Sequence, residues 1–188
     1  MLIESLRNCF AGKSEFVKFA MPLLMEKMNS SSEDSQIDAM NTYTLCSKQY
    51  DIKDYKDFID QLWNCLQKIV MNASKSELEE AALEAIEALS NAISRSVQKF
   101  QLNEIDQPKS GLSIDLFIEK AMQSCVKYLN EPDLKLVWPN VKCVNALASS
   151  SPAANLIVNK KIIPLLIDYF KNTTFVSDYF CSSFALMN

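Results

Sequence analysis

The chain has 188 residues, 48% hydrophobic and 22% charged, with a net charge of −4 and no histidine. That balance is too apolar for a disordered tail, and the acidic sum speaks against a nucleic-acid surface, which needs a concentrated basic face. Without histidine the usual general base at neutral pH is missing, and every histidine-dependent nucleophilic triad is excluded.

Only two glycines occur, Gly12 and Gly111, too few for the turns of a multi-stranded sandwich or for a phosphate-cradling loop. The expected class is all-α. The N-terminal MLIESLRNCF lacks a basic region followed by a long apolar core, and no apolar run approaches the ~18 residues of a membrane span. A soluble intracellular protein with no membrane partner is therefore expected. The six cysteines, Cys9, Cys46, Cys65, Cys125, Cys143 and Cys181, are widely scattered and form no CxxC. They are expected to be buried reduced thiols, with no metal and no cofactor.

In chain order, Leu2 to Phe10 reads as the tail of a helix stopped by Gly12. Glu15 to Asn29 is the next helix, with Phe16, Phe19, Leu23 and Met25 to Met28 as its apolar side and Pro22 within it. Ser30 to Ser32 forms a linker, and Ser30 with Glu33 offers a capping box for a helix from Asp34 to about Tyr50. Asp54 to Asn72 carries an unbroken stripe of Tyr55, Phe58, Leu62, Trp63, Leu66 and Ile69. Ser74 and Ser76 are placed to cap a helix running to about Gln98, with Leu78, Ala82, Ile86, Leu89, Ile93 and Val97 on one side. Its other side carries Glu80, Glu84 and Glu87, which reads first as a solvated face and second as an acidic docking strip for a basic partner.

Gln101 to Leu112 is the longest loop, after which Ser113 caps a helix with Ile114, Phe117, Ile118, Ala121, Cys125, Tyr128 and Leu129 inward. Asn130 to Ser151 follows, with Pro132 preset for a first helical turn and a stripe of Leu134, Val137, Trp138, Val141, Val144 and Ala148. Pro139 lies inside that stripe and should kink the helix. Trp138 reads as a core wedge beside the kink, with a partner-facing anchor as the alternative. Lys127, Lys135 and Lys142 fall around one corner and are candidate partner-binding residues lining a groove. Pro152 to about Phe170, with Pro164, is the last full helix, and Phe175 to Asn188 starts a further incomplete one.

Comparable apolar marks at Leu23, Leu62, Cys125 and Leu165, taken as second helices of successive pairs, recur at steps of 39, 63 and 40 residues. Most of these lie close to the ~40–47 residues of HEAT and armadillo repeats. The expected architecture is one array over residues 1–188 of about four HEAT-like hairpins, an α-α superhelix of right-handed type, as a fragment of a longer solenoid. A closed helical bundle is the alternative. No nucleophile elbow, Walker loop or dinucleotide fingerprint occurs, so no enzymatic activity is expected.

The run Glu131 to Asn140, EPDLKLVWPN, with Lys142 after it, resembles a segment of a known family, as do Leu6 to Cys9 with Phe16 to Lys27, Asp57 to Trp63, Leu89 to Val97, and Ile163 to Phe170. That family is the large HEAT-repeat scaffold of the cytosolic iron–sulfur assembly targeting complex, first named for methyl-methanesulfonate sensitivity and for roles in excision repair and transcription. The resemblance implies a middle segment of a cytoplasmic and nuclear adaptor. Its implied partners are a WD-repeat propeller subunit, a small partner protein, and apo-proteins awaiting iron–sulfur clusters, such as helicases, primase and polymerases. Periodicity alone leaves open a HEAT module for nuclear transport or vesicle coats.

Overall fold

The computed structural model describes residues 13–103, 114–129 and 134–172. Seven α-helices carry them: α1 (Val17–Met28), α2 (Glu33–Ser47), α3 (Ile59–Asn72), α4 (Ser76–Asn103), α5 (Ile114–Leu129), α6 (Leu134–Ser149) and α7 (Pro152–Asn172). No strand occurs among the described residues. None of these helices is long and apolar enough to cross a membrane. The expected helix at Leu2 to Phe10, the cap at Ser113, the helix start at Pro132, most of the Gln101 to Leu112 loop and the end beyond Asn172 lie outside the described residues. Gln101 to Asn103, assigned to that loop, continue α4.

The helices pack by neighbours. α1 lies against α2, α3 against α4, α5 against α6, and α6 against α7, while α2, α4 and α6 line up side by side as one layer. A closed bundle would bring the first helix back to the last, yet among the described residues α1 packs chiefly on α2, with smaller contacts to α3 and the single turn before it. The architecture is an all-α superhelix of HEAT or armadillo type, in which each layer is supported by the next. One continuous core runs through it, with Met21, Met40, Leu62, Leu66, Ile86, Leu89, Ile93, Ile118 and Leu147 fully buried.

The phase of the repeat differs from the expected one. Helices α2 and α3, read as one hairpin, barely touch, and the pairing is α1 with α2, then α3 with α4, then α5 with α6. The reason is the connection. Residues between α2 and α3 form two single 3-10 turns, Ile52–Asp54 and Lys56–Phe58, long enough to carry the chain to the next layer, whereas α3 and α4 are joined by three residues. Helix α6 packs as fully on α7 as on α5, so the expected meeting of α6 with α7 also occurs.

Local starts also shift. Helix α3 begins at Ile59, five residues after Asp54, with Tyr55 buried beneath the 3-10 turns. Ser32, not Ser30, caps α2 by accepting from the Ser35 backbone N–H, and Ser30 accepts through its carbonyl from the Gln36 side chain instead. On α1 the buried side is Val17, Met21, Leu24 and Met28, whereas Phe19 and Leu23 are 73% and 55% exposed. Both stripes fit a helical period, and the one that meets α2 wins.

Proline is tolerated inside three helices, at Pro22, Pro139 and Pro164. Each leaves the carbonyl four residues earlier without its usual N–H, and those residues, Lys18, Lys135 and Lys160, are all exposed. Water can reach that side of the helix, so the missing donor costs less than it would in the core.

Four ion pairs join distant residues among those described: Glu33 with Lys75, Asp60 with Lys120, Glu79 with Lys142, and Glu119 with Lys161. All four cross from one helix pair to the next. Arg95 makes a further tie between layers, donating from both terminal guanidinium nitrogens to the carbonyl oxygens of Ser47 and Lys48 at the end of α2.

Candidate partner-binding surface

The four candidate residues fall in two places. Lys135, Trp138 and Lys142 share one side of α6, spaced by three and four residues, whereas Lys127 stands near the end of α5. Lys142 is committed within the fold: its Nζ lies 2.6 Å from Glu79 Oε2 on α4, and both side chains are largely covered. Lys127 is exposed, with its ammonium 5.8 Å from the centre of the Tyr128 ring. It lines a groove of about 430 Å³ between α5 and α7, whose floor is Met122, Val126 and Leu165. Neither Lys135 nor Lys142 lines that groove.

Trp138 is not a core wedge. It is 61% exposed, and Val141 one turn on is 37% exposed. The buried side of α6 is instead Asn140, Cys143, Val144, Ala146 and Leu147. Asn140 belongs there because its amide is satisfied twice: it accepts from Gln67 Nε2 at 2.8 Å and donates to the Leu136 carbonyl at 2.8 Å. A buried amide with both partners in place costs little, and that frees the helix to turn its tryptophan outward. The other tryptophan is the buried one. Trp63 packs edge-on against Phe117 at 6.0 Å and donates to Ser124 Oγ at 3.1 Å.

The cleft between α2 and α4 was not anticipated as a cavity. It holds about 330 Å³ and is lined by Thr44, Ser47, Lys48, Glu84, Glu87, Ala88, Asn91 and Arg95. The Glu row of α4 was the available signal, and Glu80, Glu84 and Glu87 are indeed exposed. What the sequence did not show is that α2 runs along α4 and makes one wall of a cleft from those acids.

Cys46, Cys65, Cys125 and Cys143 are buried thiols, and burial pushes each of them up, Cys125 to about 12. They stay protonated at neutral pH, so none presents a ready thiolate nucleophile. Among the described residues no three cysteine or carboxylate side chains gather where they could hold a metal ion. Glu33 is shifted the other way: hydrogen bonds from Lys75 and Ser74 hold its carboxyl below the usual range. Its neighbours explain that shift as a structural tie at the α3–α4 corner.

Comparison with known proteins decides the family. Residues 1–72 match the family model described as Dos2-interacting transcription regulator of RNA-Pol-II. The "MMS19 nucleotide excision repair protein homolog" of Danio rerio is 36% identical over 174 residues, 92% of this chain and 16% of its own length. The Homo sapiens protein of the same name is 33% identical over 90% of this chain and 16% of its own length. The chain belongs to the MMS19 family. The "DNA repair/transcription protein mms19" of Schizosaccharomyces pombe is a more distant member, 26% identical over 87 residues. The chain thus spans about a sixth of the vertebrate MMS19 proteins it matches. These relatives are named as repair and transcription proteins, and their names state no enzymatic reaction.

Proposed function

We propose that this chain is a non-catalytic adaptor segment of the cytosolic iron–sulfur protein assembly machinery, acting in the cytoplasm and nucleus. It contributes to presenting apo-proteins of DNA repair, replication and transcription for cluster insertion. The observation that carries this reading is the match of nine-tenths of the chain to proteins named for excision repair, joined to the resemblance of EPDLKLVWPN and the other segments to the assembly scaffold. A stack of helical pairs suits such work, because it offers a long surface on which several proteins can be held. The exposed Trp138 and the groove beside Lys127 are where clients, the WD-repeat propeller subunit or the small partner protein would meet this segment.

Affinity purification of the full-length protein tests this. Recovery of the propeller subunit and of iron–sulfur helicases or polymerases is the expected result. Recovery of transport receptors or coat proteins without any of these would replace the reading with a transport module.

A further inference from the structure

The four-residue connection from α1 to α2, residues 29–32, stands at the rim of a second cleft. This cleft holds about 400 Å³, with Ser30, Ser31 and Glu33 on one side and Cys65, Lys68 and Asn72 of α3 on the other. Glu33 and Lys68 are its two charged side chains. Glu33 pairs with Lys75 at 2.8 Å, whereas no ion pair to the exposed Lys68 occurs among the described residues.

Five described serines have an acid three positions on: Ser30, Ser31, Ser35, Ser74 and Ser76. Four of them are committed. Ser35 and Ser76 lie within α2 and α4, where helical bonds hold the backbone. Ser30 Oγ donates to the Ser32 carbonyl, and Ser74 Oγ donates to Glu33. Ser31 is exposed, outside any helix, and among the described residues neither its hydroxyl nor its backbone makes a hydrogen bond. The next residue, Ser32, is extended at φ −90° and ψ 113°, and Glu33 and Asp34 follow it.

We infer that Ser31 is a phosphorylation site for a protein kinase that selects acidic residues on the C-terminal side of its serine, and that the phosphate it receives turns into the cleft towards Lys68. An open, unbonded stretch of backbone can be drawn into a kinase's substrate groove, which a serine inside a helix cannot do without unwinding it. Glu33 and Asp34 then meet basic side chains of the enzyme. In the transfer, Ser31 Oγ bonds to the γ-phosphorus of ATP, the bond from that phosphorus to ADP breaks, and the hydroxyl proton passes to the kinase's catalytic aspartate. The product adds a charge of about −1.5 to −2 at neutral pH, with three strong acceptor oxygens. Glu33 and Asp34 oppose that charge and Lys75 favours it; Lys68 is the cation on the cleft wall facing Ser31. A phosphate held by Lys68 ties the α1–α2 corner to α3, so a link between the first two helix pairs is made by one enzyme and removed by a phosphatase.

The full chain is treated with ATP and an acid-directed serine kinase, and the phosphate is mapped by mass spectrometry; a basic-directed kinase is run beside it. Phosphate should appear on Ser31 with the first enzyme and not the second. Asp34→Asn, at an exposed position, should slow it severalfold. In the phosphorylated chain, Lys68→Met should raise the second pKa of the phosphate, followed by phosphorus NMR, by about half a pH unit, because an exposed cation favours the dianion. Glu33, Asp34 and Lys75 are present in both proteins, so the difference reads Lys68. An unmodified Ser31, a rate indifferent to Asp34→Asn, or a phosphate pKa indifferent to Lys68→Met overturns the inference.

Discussion

Gln67 on α3 donates from its side-chain amide to the side-chain oxygen of Asn140 on α6, at 2.8 Å, across 73 residues of chain and in a site where Asn140 has no exposed surface. Gln67 also reaches Cys125 Sγ on α5 at 3.7 Å. One amide thus touches three helices of two successive pairs. Replacing Asn140 by leucine strands the Gln67 donor, and replacing Gln67 strands the Asn140 acceptor, so each single variant should lose about 1–3 kcal/mol. The Gln67→Leu, Asn140→Leu double variant should lose less than the two added. Urea unfolding of all four proteins reads the coupling, and strict additivity would show that the pair contributes nothing as a unit.

Arg95 makes a second tie of this kind. Arg95→Ala removes two charge-assisted bonds to the last carbonyls of α2 and should cost about 1–3 kcal/mol. Arg95→Lys should recover only part, because an ammonium cannot fork onto two carbonyls as a guanidinium does. Hydrogen exchange at Gln49 and Tyr50, whose N–H groups bond back to Cys46, should quicken in the alanine variant.

Acid should loosen the corner where Glu33 meets Ser74 and Lys75. The folded carboxyl is held below its ordinary 4.5, so its contribution is present above that pH and is lost as pH falls through the lowered value. Glu33→Gln should therefore be less stable than the parent at pH 7 and converge with it in acid. Urea midpoints at both pH values check this, and a constant gap would refute it.

Alkali should act through buried groups. Burial raises Cys125 to about 12 from 9.0 and Tyr55 to about 12 from 10.0. In both cases the unfolded chain loses its proton first, so stability is intact below pH ~9 and declines as pH climbs towards the folded values. Cys125→Ala and Tyr55→Phe should each flatten part of that decline in a thermal-melt series. With Cys9 and Cys181 replaced by serine, labelling of the remaining thiols should follow global unfolding.

The two tryptophans should separate cleanly. Trp138→Phe should remove most iodide-quenchable emission and change stability by less than about 0.5 kcal/mol, as surface replacements do. Trp63→Phe should leave the quenchable emission in place and cost more, since it deletes the bond to Ser124 and shrinks the ring that packs edge-on against Phe117.

Those residues also mark what could be read before the fold was known. The stripes of α3 and α4 were legible, because Leu62, Leu66, Leu78, Ile86 and Leu89 sit at helical spacing with no competing apolar side. Helices α1 and α6 each offered two apolar sides. Choosing between them needs the neighbour: Met21 and Leu24 meet α2, and Asn140 finds Gln67, a partner that no local pattern announces. The pairing of helices was misread for a similar reason. The run Asp54 to Phe58 looks like the start of a helix, yet it belongs to two 3-10 turns that carry the chain across to the next layer. For the candidate surface, the exposed Glu row could be read from α4 alone, but the cleft it borders is a property of two helices.

The four ion pairs that bridge successive helix pairs give the array a mechanical character. Its layers share a continuous apolar core, which resists separation, while the charges that set how one layer sits on the next are partly or fully in water. Salt screens such charges over about 8 Å at physiological ionic strength and leaves apolar contacts in place. Raising the salt concentration is therefore expected to weaken these four links while the shared apolar core stays in place.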